Sequence, residues 1–427
     1  MYLLALLLAC ETKIVDVGDT EPTFDTDAPP TLPPEPTVPP ETTFPAVDEA
    51  LARDIISGAV DPDLGFQQLA DSSGLPVATA TGWLFLYRAD GGPWATAGSF
   101  SDWVEQPMTL GANDVWWVEL SVEEPAGALY KFTDAADWLA DPWARSYTYD
   151  DLGEISFVRP PTDASRLDRW PGRAGHGMAP RTVRAYVPPG NGPFPVMYAH
   201  DGQNLFDPGA FWGGWQLQAA LATVDPMIVV GIDNTADRFA EYTHVPDDLY
   251  GYPIGGDGTD YAAFVTEDLR PHIQAEYATS GHDGIMGSSL GGLISLHVAQ
   301  TYPGDYDFVA SLSGTLGWGS FGLDNPVMEE LYLAHPPGFA KVYVDSGGGA
   351  GSDGVCTDGD GDGFVEDDRD DADNYCINRQ FADDLAAAGW TYDVDLWHWH
   401  EVDAQHNEAY WADRVDQPLA IFAALDD

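Results

Sequence analysis

The chain has 427 residues, 44% of them apolar and 12% aromatic, which is ample material for packed cores and room for two domains. Seventeen Lys and Arg face 70 Asp and Glu, a net charge of −53 with His neutral. No basic surface of useful size survives that ratio, so nucleic acid and anionic membrane surfaces are excluded as electrostatic partners, while divalent cations or a salty medium suit the chain.

The chain opens on an eight-residue apolar run, Tyr2 to Ala9, followed by Cys10. The run is too short to span a bilayer and suits the core of a signal peptide. Its ending, Leu7-Leu8-Ala9-Cys10, resembles a bacterial lipobox, which implies acylation of Cys10 and an extracytoplasmic lipoprotein that touches the membrane through its lipid alone. No Lys or Arg precedes the run, so a basic segment upstream of Met1 is expected. Residues 11–47 are acidic and rich in Thr and Pro, with nine prolines from Pro22 to Pro45, and read as an extended tether.

Residues 48–157 read as a small all-β module after a short helix over 46–57. Strand-like runs at 82–88 and 115–120 are punctuated by Gly, Pro, Asn and Asp, as in a sandwich. Seven tryptophans fall here: Trp83, Trp94, Trp103, Trp116, Trp117, Trp138 and Trp143. Most are expected in the core of a sandwich, and any that are exposed could stack on sugar rings. The aromatic order resembles the early-set, immunoglobulin-like modules that precede the catalytic domains of glycogen-branching enzymes, some xylan esterases and enterochelin esterases.

From residue 158 to 427, apolar runs alternate with helical stretches, the pattern of βαβ units and a mostly parallel sheet. Strands are expected near 183–187, 195–199, 227–232, 285–286, 308–312, 341–344 and 394–397. Several are continuously apolar, as in strands buried on both faces.

The chemistry concentrates at Gly287-Ser-Ser289-Leu-Gly291. Gly-x-Ser-x-Gly after an apolar strand and before a helical pattern is the nucleophile elbow, in which a strained turn exposes the Ser and larger neighbours would clash. Leu290, Leu293, Ile294, His297 and Val298 recur at helical spacing after it. Upstream, His200-Asp-Gly-Gln-Asn-Leu-Phe206 leaves a strand where a second oxyanion donor belongs, so the N–H groups of Leu290 and of Gly202 or Gln203 are expected to face the oxyanion. The base should be a late His. His398 and His400 alternate within a strand, whereas His406 opens a loop and a helix start, so His406 is chosen.

Together with Asp233-Asn-Thr, Asp237-Arg238, Glu241-Tyr-Thr243 and His406-Asn-Glu408…Trp411, these segments resemble the esterase family of the α/β-hydrolase superfamily. That family takes in enterochelin esterases, feruloyl and acetylxylan esterases and S-formylglutathione hydrolase. The resemblance implies an α/β-hydrolase behind a small immunoglobulin-like sandwich. It also implies a Ser-acid-His triad with no catalytic cofactor, acting on acylated carbohydrate or siderophore-type esters. Some relatives transfer acyl groups to sugars, and a non-catalytic protein binding glycan or calcium is a further alternative. The family's Gly-rich turn before the acid points to Asp353, with Asp345 and Asp373 as alternatives, and a site without an acid stays open.

An acidic insertion, residues 354–376, blurs that assignment. Asp358, Asp360 and Asp362 before Gly363 repeat the first half of a calcium loop, but position 12 is Arg369 in place of a bidentate Glu. A structural Ca²⁺ is therefore expected on Asp358, Asp360, Asp362 and Glu366, with Asp367 and Asp370 as further candidate ligands. With Cys10 acylated, Cys356 and Cys376 remain to form a disulfide.

Overall fold

The computed structural model describes residues 46–248, 251–348, 356–358, 361, 363–367 and 372–425; Cys10 and the tether lie outside them. Eight strands carry the large α/β part: β1 (Arg166–Arg173), β2 (Arg181–Val187), β3 (Phe194–His200), β4 (Ile228–Ile232), β5 (Thr279–Ser288), β6 (Phe308–Leu312), β7 (Lys341–Gly348) and β8 (Leu396–His400). Their spatial order is β1-β2-β4-β3-β5-β6-β7-β8. The pairings from β4 through β8 are all parallel, while β1–β2 and β2–β4 are antiparallel.

Side chains alternate across this sheet. Val196, Tyr198, Val230 and Ile285 enter one core, and Met197, Ala199, Val229 and Met286 enter the other. Both faces are covered, which is why these strands read as unbroken apolar runs. No helix among the described residues is long and apolar enough to cross a membrane.

The N-terminal residues form the expected helix Ala46–Ser57 and a second helix, Pro62–Asp71. Pro62 supplies a preset φ at the first position of the second helix, and Asp61 caps it by accepting from the N–H groups of Asp63 and Leu64. A four-stranded antiparallel sheet follows, in the order Val77–Ala78, Trp83–Arg88, Val115–Leu120, Thr109–Leu110. Leu84 and Leu86 face the two helices, whereas Trp83 and Phe85 face Tyr130 and Phe132 of a second sheet, completing a sandwich.

That second sheet is the same sheet as β1–β8. Strand β1 pairs antiparallel with Ser146–Asp150, which continues through Gly153–Phe157 and Leu129–Thr133 to Ala95–Gly98. The expected mostly parallel sheet is therefore corrected to a mixed one, of 15 strands among the described residues, because antiparallel strands extend it beyond β2. Residues Phe44–Asp427 form one compact unit. Of the seven tryptophans, Trp83 and Trp94 are buried and Trp116, Trp117 and Trp143 half-buried. Trp103 and Trp138 are exposed, with ring centroids 6.3 Å apart.

Candidate active site

Strand β5 ends at Ser288 and the helix Leu290–Thr301 follows at once, so Ser289 alone makes the turn. It does so at φ 56° and ψ −124°, a strained conformation for an L-residue that costs on the order of 1–3 kcal/mol. The turn folds Gly287 onto Gly291. A β-carbon on Gly287 would lie 2.6 Å from the Gly291 carbonyl, and one on Gly291 would press on His200 and Asp201 at 3.3 Å. Close approach, as the motif suggested, is what both glycines provide.

The Ser289 N–H donates to Leu312 O at 2.9 Å, and the hydroxyl meets Thr315 Oγ1 at 3.4 Å. Leu290 is the first residue of its helix, so its N–H has no residue four back within the helix to bond. Across from it, β3 ends at His200 and Asp201 turns left-handed (φ 57°) into the short turn Gly202–Asn204. A β-carbon on Gly202 would lie 2.6 Å from the Gly231 carbonyl carbon, so this turn sits directly on β4. Arg238 grips Asp201 with two bonds of 2.8 Å, Gln203 Oε1 accepts the Asn234 N–H at 3.0 Å, and Asn204 Nδ2 donates to Glu408 Oε1 at 3.1 Å. The loop carrying Gly202 and Gln203 is thereby tied to the segment that bears His406.

His406 lies between β8 and the helix Glu408–Ala412, half-exposed, with its ring edge-on to Trp411 at 5.0 Å. His398 and His400 lie in β8, as expected. No hydrogen bond joins Ser289 to His406 among the described residues. The carboxylate on His406 is Asp373, whose Oδ1 accepts from Nδ1 at 2.5 Å. Asp353 lies outside the described residues, and Asp345 sits behind Asp373. Asp373 reaches this place because Ala372–Asp373 pairs antiparallel with Gly347 and Gly348 at the end of β7, three residues before Cys376. Cys376 is bonded to Cys356, the expected disulfide. Asp373 Oδ2 accepts from Ser313 Oγ at 2.5 Å and from the Gly347 N–H at 2.7 Å.

His200 is not a rival base. It is buried against Tyr261, with Nδ1 3.0 Å from the phenol oxygen, and burial holds it down to about 3, so it is neutral at ordinary pH. Ser313, Thr315, Trp411 and Arg414 enter the site without having been assigned roles from the sequence; only Trp411 had stood in a quoted motif. Among the described residues no three His, Cys, Asp or Glu side chains gather as a metal site. Asp358 accepts from the Gly361 and Gly363 N–H groups at 2.6 and 3.2 Å, while Asp360, Asp362 and the side chain of Glu366 lie outside the described residues.

A sequence model of the family described as Putative esterase matches residues 178–421, more than half of the chain. The chain belongs to this esterase family. Its relatives include YbbA of Bacillus subtilis, bearing the name "Uncharacterized protein YbbA", at 28% identity over 186 residues (40% of this chain and 70% of that one). The siderophore triacetylfusarinine C esterase of Aspergillus fumigatus is 29% identical over 140 residues, 31% of this chain and 47% of that one. The ferri-bacillibactin esterase BesA of B. subtilis is 28% identical over 150 residues, 31% and 51%. The match spans about half the length of the two siderophore esterases. In this member of the family Ser289 follows the C-terminal end of β5, the turn Gly202–Asn204 follows that of β3, and Asp373, paired at the end of β7, meets His406 from the loop after β8.

Proposed function

We propose that the chain is a serine carboxylic-ester hydrolase in which Ser289 is the nucleophile, His406 the base and Asp373 the residue that orients the imidazole. The observation that carries the reading is the His406–Asp373 contact beside a strained, glycine-flanked Ser289. In the reaction the Ser289 hydroxyl turns from Thr315 toward His406 Nε2, gives up its proton and attacks the ester carbonyl. The N–H groups of Leu290 and of Gly202 or Gln203 receive the oxyanion, each worth about 3 kcal/mol in comparable sites. His406 then protonates the leaving alcohol, and water activated by the same imidazole releases the acid and restores Ser289.

The substrate we infer is an acylated carbohydrate, with a siderophore-type ester as the second reading. The net charge of −53 opposes the approach of anionic ferric complexes. The turn Phe211–Gly213 packs on the helix Glu408–Ala412 and leaves Phe211 and Trp212 exposed near the His406 loop, a platform for a flat ring face. The exposed Trp103 and Trp138 suit a sugar chain held farther away. The names of the two siderophore esterases support the second reading. Action outside the cytoplasm is supported by the Cys356–Cys376 disulfide and the lipobox-like Cys10.

Incubation with a fluorophosphonate, followed by intact mass, tests the mechanism alongside p-nitrophenyl acetate hydrolysis. Labelling and turnover should both vanish in Ser289→Ala; a folded wild-type chain that takes no label would make this a binding protein on a hydrolase scaffold. Acetylated xylan and a triester siderophore, offered in competition, decide the substrate class. We also propose a structural Ca²⁺ in the acidic insertion, where Asp358, Asp360, Asp362 and Glu366 supply hard carboxylate oxygens. Added EGTA should lower Tm, and an unchanged Tm would leave the loop metal-free.

A further inference from the structure

Behind His406 lies a buried charge cluster larger than a triad needs. Arg414, Asp345 and Asp373 are each at most 1% exposed. Arg414 donates through one nitrogen to Asp345 Oδ1 at 3.0 Å and to Ser313 Oγ at 2.5 Å, and stands farther, 3.5 Å, from Asp373 Oδ2. Its other terminal nitrogen donates to Tyr410 O at 3.3 Å, and its Nε has no partner among the described residues. Burial pushes the Asp345 carboxyl up and Arg414 pulls it back. Both Asp345 oxygens accept from donors: Oδ1 from Arg414 and the Ser313 N–H (3.1 Å), Oδ2 from the Tyr343 hydroxyl (3.1 Å). With Oδ1 accepting from the guanidinium and from a backbone N–H, Asp345 serves as the counter-ion of Arg414.

The cluster therefore holds two anions and one cation, a net charge of −1. A buried charge of that kind is costly until it is matched. It is matched only when His406 takes the Ser289 proton and becomes imidazolium, that is, in the transition state. Were Asp345 absent, Arg414 would turn its full charge on Asp373, and the imidazolium would meet an already neutralised pair. We propose that Asp345 and Arg414 form a positioning pair in which Asp345 occupies the guanidinium, so that the charge of Asp373 is kept for His406. Ser313 and the Trp411 indole, whose Nε1 donates to Ser313 Oγ at 3.1 Å, hold the geometry of the pair. The inference rests on the Ser289–His406–Asp373 reading.

Counting charges supplies a test that a merely structural role would not pass. In Asp345→Asn the amide oxygen can keep a bond to the Ser313 N–H while the charge goes, leaving Arg414 to compete for Asp373. Hydrolysis of p-nitrophenyl acetate should fall about tenfold or more in kcat with KM little changed. Arg414→Met leaves two uncompensated buried carboxylates and should lose at least as much. The double variant Asp345→Asn/Arg414→Met returns the cluster to one anion and should recover kcat above both single variants. A double variant no better than the worse single, or Asp345→Asn with wild-type kcat, overturns the proposal; where Arg414→Met does not fold, Asp345→Asn alone decides. Ser289→Ala run in parallel separates the two levels. Turnover surviving there sinks the triad itself, whereas turnover lost there with unaltered Asp345→Asn sinks only the positioning pair.

Discussion

Substituting Asp373 by Asn separates the three candidate carboxylates. Asp373 is buried and uses one oxygen for His406 and the other for Ser313 and Gly347. An Asn has one acceptor oxygen, which stays with the Ser313 and Gly347 donors because two bonds outweigh one. Its NH₂ then faces His406 Nδ1, which must become an acceptor, so the ring proton moves to Nε2 and the base is lost. In a comparable triad that tautomer error costs about ten-thousand-fold in kcat, or about 5 kcal/mol at 1.36 kcal/mol per tenfold. The fold loses less, about 1–3 kcal/mol, as the hydrogen bonds to a charged acceptor weaken. Steady-state hydrolysis of p-nitrophenyl acetate and a thermal melt measure the two effects separately. Asp353→Asn, assayed in parallel, should behave as wild type. A Asp373→Asn variant within tenfold of wild type, or an Asp353→Asn variant that is inactive, would refute the assignment of Asp373.

Three other outcomes are expected. Gly287→Ala drives a methyl into the Gly291 backbone and should cost about 1–3 kcal/mol or more with loss of fluorophosphonate labelling; wild-type labelling would mean that the turn can relax. His200, held at about 3 against 6.5 for a free imidazole, binds its proton more weakly folded than unfolded, so its stability is complete above pH 6.5 and declines as pH falls toward 3, by about 4–5 kcal/mol at most. The Tm of His200→Gln should therefore fall less steeply than wild type between pH 7 and 4, and parallel slopes would remove His200 as the cause. Trp103→Ala with Trp138→Ala should abolish retardation in a gel containing acetylated xylan, and unchanged migration relative to wild type would mean that the pair does not hold sugar.

What could be read from the sequence follows the range of the interactions. The elbow was legible because its constraint is local: Gly287 and Gly291 collide within one turn of chain. The place of His406 in a loop was legible because alternation put His398 and His400 in β8. The carboxylate that meets His406 was legible only as one of three alternatives, since Asp373 owes its position to the pairing of Ala372–Asp373 with the far end of β7, after an insertion whose length sets no register. Strand β1 was also missed. It carries three arginines and an aspartate, which look like solvent-facing charge; in the fold Arg169 is buried, bonded to the carbonyls of Asp141 and Ala144 and to Glu154. Arg414 gave no signal at all, because a sequence does not tell an arginine bonded to buried carboxylates from one in water.

The unbroken run of strands from Ala95–Gly98 to β8 bears on how this chain can be taken apart. A boundary drawn at residue 157 looks like a natural place to cut or to fuse, yet a catalytic fragment starting there would bare the β1 edge that Ser146–Asp150 now occupies. Arg169 would also lose the acceptors supplied by Asp141, Ala144 and Glu154. An uncovered edge beside an orphaned cation invites self-association. Swapping the front end for a different module, or trimming it for expression, therefore calls for a boundary ahead of the first described helix, Ala46–Ser57, and not at residue 157.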